Sequence, residues 1–121
     1  MKSNPIINAS KLVKENTNFR LVMNTTEKDF QVVAMSLKPN ENIGFEIHQD
    51  TSQMFYVLSG MGIAYIDGET VAINTGDIVV AERGESHDII NAGTKELKLL
   101  TVYSQQEHSK GKVQELKEEG R

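Results

Sequence analysis

Three histidines and no cysteine set the chemistry open to this 121-residue chain. Without a thiol there is no disulfide framework, no Cys-type zinc site and no thiol nucleophile, so His, carboxylate, amide and hydroxyl groups must supply any chemistry. Two of the histidines stand in patterned surroundings. Glu46 and His48 lie two apart in NIGFEIH, and on a strand both would point to one face. Gln53 opens the next run, QMFYVLS, with Phe55 and Val57 on its face; His87 stands near the start of SHDIIN, with Ile89 and Asn91 on its side. Polar groups on an otherwise apolar face are costly unless they are paired or share an ion. Glu46, His48, Gln53 and His87 are therefore a candidate metal set, and spacing alone leaves open the alternative of hydrogen-bonded strand histidines. The third, His108, sits in a polar stretch and is expected to face solvent unless that stretch folds over the site. Ser52 and Ser86 flank the candidate ligands but lack any His/Asp order of a hydrolase triad.

The elements that must position these residues are short strands. Gly60, Gly68, Gly76, Gly84 and Gly93 recur every eight or nine residues, separated by β-branched and aromatic runs. Asp67-Gly68 between two alternating runs is a hairpin signal, because a type I′ turn needs φ > 0 at both central residues. Upstream, 19–23, 30–37 and 42–48 read as three further strands, giving roughly nine strands and no interior helix. Many short strands with glycine turns predict an all-β sandwich or closed barrel. Residues 9–16 could form a short helix with Ser10 as N-cap. From Ser104 the chain turns polar, and 105–121 is expected to be a solvated tail, with a cover over one barrel end as the alternative. The reading is a single domain over 1–121 with a barrel core at about 30–104.

Seventeen acidic against 13 basic residues give a net charge of -4, which excludes nucleic acid and anionic membrane surfaces as partners, since both require a clustered basic face. No run approaches the eighteen apolar residues of a membrane span, and the first sixteen residues lack a secretory pattern, so a cytoplasmic protein is expected.

The motif spacing resembles that of the cupin family, small jelly-roll-like β-barrels of the double-stranded β-helix type. The first family motif runs Gly, five residues, His-x-His, three or four residues, Glu, six residues, Gly; here Asn40, Glu46-Ile47-His48, Gln53 and Gly60 stand at that spacing. The second runs Gly, five residues, Pro-x-Gly, two residues, His, three residues, Asn; here it is Gly76, Glu82-Arg83-Gly84, His87 and Asn91. Asn40 replaces Gly, a mild change because Asn tolerates the left-handed turn conformation. Glu46 replaces the first His, Gln53 the Glu, and Glu82 the Pro. Over about residues 16–111 the chain is similar to small single-domain cupins of the mannose-6-phosphate isomerase-like subgroup.

The resemblance implies a divalent metal ion, Mn, Fe, Zn, Ni or Co, on Glu46, His48, Gln53 and His87. Two imidazoles and one carboxylate suit Fe(II) or Mn(II) with open positions, and Gln53 adds a neutral, weaker oxygen. Such an ion keeps about one net positive charge, favouring a small hydroxy-carbonyl or sugar-like ligand held through oxygen. Phe55, Tyr103 and His108 are the implied substrate contacts; Glu82, Glu107, His108 and Tyr103 are candidate bases. Three functions compete: a metal-dependent isomerase, a non-enzymatic ligand-binding module, and an Fe(II) oxygenase. Met54, Tyr56 and Leu58 make the second face of 53–59 apolar as well, which calls for a covering layer and, with the family's habit, predicts a homodimer.

Overall fold

A computed structural model of the protein describes residues 6–25, 29–104 and 113–117. One short helix, α1 (Ala9–Glu15), precedes ten strands: β1 (Arg20–Thr25), β2 (Gln31–Leu37), β3 (Glu46–Ile47), β4 (Gln53–Ser59), β5 (Met61–Ile66), β6 (Glu69–Asn74), β7 (Ile78–Ala81), β8 (Ser86–Asn91), β9 (Leu97–Tyr103) and β10 (Val113–Gln114). They form a six-stranded sheet, β10-β1-β2-β9-β4-β7, and a four-stranded sheet, β3-β8-β5-β6, with every pairing antiparallel.

The period-two alternation explains what fills the space between the sheets. Phe55 and Val57 on β4, Leu97 and Leu99 on β9, Val33, Met35 and Leu37 on β2, and Ile89 on β8 are all essentially inaccessible and form one cluster. On β2 the outward Ala34 and Ser36 are buried too, because α1 packs across β2, β9 and β4 with Val13 fully covered. The helix thus supplies part of the layer that the apolar outer face of β4 calls for; Met54, Tyr56 and Leu58 remain half-buried, and neighbouring Ile78 and Val80 are exposed.

The motif turns are built as their residues require. Asn40, Gly60, Gly76 and Gly84 all have positive φ, with Asn40 at 71° doing the work of the family's glycine, and Asp67 and Gly68, at 47° and 94°, make the expected hairpin turn.

Three expectations change. The helix is capped by Asn8, whose extended backbone and side-chain oxygen, 3.0 Å from the Lys11 amide, do what Ser10, already inside the helix, cannot. The stretch 42–48 is not one strand. Gly44 at φ 107° turns the chain, so Asn42 makes a single bridge to Ile90 while only Glu46–Ile47 form a ladder. Within the expected tail, Val113–Gln114 pair with β1, and Gln114 is buried.

Candidate metal and ligand site

The site is assembled from two cross-strand pairs and one loop residue. Glu46 lies directly opposite His87 in the β3–β8 ladder, and Gln53 lies opposite Tyr103 in the β4–β9 ladder. Directly paired residues share a face, so each sheet contributes a donor pair. His48, one residue beyond β3, completes the group: its Nε2 is 3.7 Å from Glu46 Oε2, its ring centre 5.0 Å from that of His87, and its ring meets Tyr103 edge-on at 6.1 Å.

His87 is held in the tautomer a metal ligand needs. Its Nδ1 lies 3.3 Å from the Glu85 carbonyl oxygen, which can only accept, so Nδ1 carries the proton and Nε2 presents a lone pair. That Nε2 is buried without a hydrogen-bond partner, and so is Oε1 of Gln53, whose Nε2 donates to Thr101 Oγ1 at 3.1 Å. Two orphaned buried acceptors beside a carboxylate lack a positive or donating centre, and leaving them so costs about 1–3 kcal/mol each. The ring separation fits one ion. With metal–nitrogen bonds of about 2.1 Å and ring centres about 1.1 Å further, two imidazoles on one ion at 90–109° stand about 4.5–5.2 Å apart, and the two rings here are 5.0 Å apart. Among the described residues no three His, Asp or Glu side chains, Glu46, His48 and His87 included, are grouped to hold a cation as they stand, so the fit rests on the orphaned atoms and the ring spacing.

Burial pushes the His87 imidazole below its ordinary value of 6.5, and nearby His48 adds to this against the opposing Glu85 carbonyl, Glu46 and Asp88. The neutral ring is thus the native form at pH 7. Above pH 6.5 neither the folded nor the unfolded state carries the proton. Below it, the unfolded chain takes up a proton that the fold refuses, so stability falls with pH down to the folded-state value, by at most about 1.4 kcal/mol per unit. Urea midpoints measured from pH 8 to 5 should show this slope and should show it reduced in His87→Gln; equal slopes would contradict the assignment.

The remaining sequence candidates are distributed differently. Tyr103 lines the interior at the site, and Phe55 is fully buried in the core with its ring 6.0 Å from that of His87. Glu82 is exposed and gives its backbone amide to the Glu85 carboxylate. Glu107 and His108 lie outside the described residues. Residues not anticipated from sequence are Thr101, which orients Gln53 across the β4–β9 ladder, and Glu85, whose carbonyl two residues before His87 sets its tautomer.

Comparison with known proteins agrees with this fold. Residues 33–103 match the family described as the Cupin domain. An uncharacterized Bacillus subtilis protein, YrkC, is 33% identical over 118 residues, 93% of this chain and 63% of that protein, so the chain spans less than two thirds of that relative. An oxalate-binding protein of Thermotoga maritima is 35% identical over 68 residues, 56% of each chain. Among solved structures, a Bacillus halodurans protein superposes with a TM-score of 0.91 at 28% identity, covering 94% of this chain and 91% of that one. A T. maritima protein described as a predicted oxalate decarboxylase gives 0.60 at 32% identity over 63% of this chain and 66% of its own. No described helix is long and apolar enough to cross a membrane. With its jelly-roll sheets, its motif turns and a domain match over more than half its length, the chain belongs to the cupin family.

Proposed function

We propose that this cupin binds one divalent cation through Glu46, His48, Gln53 and His87, and through it a small sugar-like hydroxy-carbonyl ligand, which it binds or isomerises. The observation that carries the reading is the buried His87 Nε2, a lone pair fixed by the Glu85 carbonyl and left without a partner. A divalent ion held there would polarise a carbonyl oxygen and stabilise charge developing on it, as aldose–ketose interconversion requires. The chain's own part is to hold the neutral imidazole, keep water from the Phe55 side, and offer Thr101 and Tyr103 beside the donors. Glu46, with about a third of its side chain exposed, lies on the open side.

The likeness to the T. maritima oxalate-binding protein supports a second reading, non-enzymatic binding of a small carboxylate. Calorimetry separates the two. Chelator-stripped protein is titrated with Mn(II), Fe(II), Zn(II), Ni(II) and Co(II), and the loaded protein with an aldose, its ketose and oxalate. One-to-one metal uptake followed by aldose–ketose interconversion is expected; oxalate binding alone would favour the second reading, and oxygen consumption by the Fe(II) form an oxygenase. We also place the protein in the cytoplasm as a homodimer. The half-buried Met54 and Tyr56 beside exposed Ile78 and Val80 on one sheet face support the dimer, and a light-scattering mass of a single chain would overturn it.

A further inference from the structure

Half of the proposed donor set stands at the edge of the four-stranded sheet, on β3 and on the residue that follows it. Gln53 lies on β4, flanked by β9 and β7, and His87 on β8, flanked by β3 and β5. Glu46 is on β3, a two-residue edge strand whose one ladder among the described residues is to β8, and His48 follows it, its carbonyl accepting the Gly84 amide at 2.9 Å. The chain enters β3 through Gly44, at φ 107°, a residue whose backbone resists little of the rotation that would carry Glu46 away.

A chain of side-chain bonds arrests this joint from behind. Asp88, the neighbour of His87 on β8, is buried. Its Oδ1 accepts the Gly44 amide at 3.0 Å, and its Oδ2 accepts Asn42 Nδ2 at 2.7 Å. The Asn42 Oδ1 in turn accepts the ammonium of Lys117. Lys117 comes from the stretch read in sequence as a solvated tail. What brings it there is Gln114: its Oε1 accepts Arg20 Nη1 at 2.7 Å, its Nε2 donates to the Leu116 and Lys117 carbonyls at 3.0 and 2.8 Å, and the Phe19 amide donates to the Glu115 carbonyl at 3.0 Å. Residues 113–117 are thereby fixed to β1 of one sheet while Lys117 reaches the β3 arm of the other. A cation at the end of the relay polarises the Asn42 amide and strengthens its bond to the Asp88 carboxylate.

We propose that residues 113–117 are a strap that positions Glu46 and His48 for the ion, with Lys117, Asn42 and Asp88 as positioning residues. This rests on the reading of Glu46 as a metal ligand. A strap of this kind acts through its orientation of the arm rather than through contact with the ion, as outer-shell partners of metal ligands do.

Two measurements on the full chain test it. In Lys117→Met, amide hydrogen exchange at residues 44–47 should accelerate by about tenfold while 97–103 on the central strand keep their protection. The Mn(II) dissociation constant, read by electron paramagnetic resonance, should rise by about tenfold. Lys117→Arg, which keeps a cationic donor, should restore both. Unchanged exchange at 44–47 in Lys117→Met overturns the strap, and so does equal acceleration throughout the sheets, which would show general destabilisation. Faster local exchange with unchanged Mn(II) affinity in a wild type that binds Mn(II) overturns the positioning role. If the wild type binds no metal, the reading under Proposed function falls instead, and exchange alone then decides whether the strap holds the arm.

Discussion

Replacing His87 with alanine is expected to weaken divalent-metal binding by at least about 100-fold, the upper end of what loss of an outer-shell partner costs, because here a ligand itself is removed. Gln53→Ala should cost less, about tenfold, since a neutral amide oxygen is the weaker donor. The ranking follows from ligand chemistry alone: His87 Nε2 and Gln53 Oε1 are both buried without a partner, and each side chain is oriented through its other polar atom, His87 by the Glu85 carbonyl and Gln53 by Thr101. Isothermal titration of both variants with the same metal decides it, and equal losses would contradict the account. A thermal melt of each separates loss of a ligand from loss of the fold.

The second large effect is on stability. Phe55 is completely buried, belongs to the central cluster, and packs its ring 6.0 Å from that of His87. Phe55→Ala removes this area and leaves a cavity in a tightly filled interior, for which about 3–5 kcal/mol is expected. Chemical denaturation should therefore show a loss well above the typical cost of a point mutation, about 1 kcal/mol. A loss below that would mean that the site side of the core is loosely packed.

Why so much of the fold can be read from sequence is visible at particular residues. Strand lengths follow the glycine rhythm because most of its turns need a positive φ, which Asn40, Gly60, Gly68, Gly76 and Gly84 have, while Gly93 leaves room for the Met61 side chain. The same rhythm puts Glu46, His48, Gln53 and His87 at cupin spacing. What spacing does not carry is register between distant strands. That Glu46 faces His87 depends on a ladder two residues long, and that Thr101 orients Gln53 depends on β4 and β9 pairing across 48 positions. Gln114 is the extreme case. Its partner Arg20 is 94 residues away, and its polar surroundings in sequence conceal a residue buried in the structure. Local composition reports solvation only when no distant strand comes to cover the segment. Asn8 displacing Ser10 as the helix cap is a smaller instance, decided by backbone geometry one turn away.

The central claim is that Glu46, His48, Gln53 and His87 hold a metal ion. Elemental analysis of the purified protein, wild type beside His48→Ala, tests it most directly. The account predicts close to one equivalent of a divalent transition metal in the wild type and a large loss in the variant. Less than about a tenth of an equivalent in the wild type after exposure to excess metal, unchanged by His48→Ala, would contradict it.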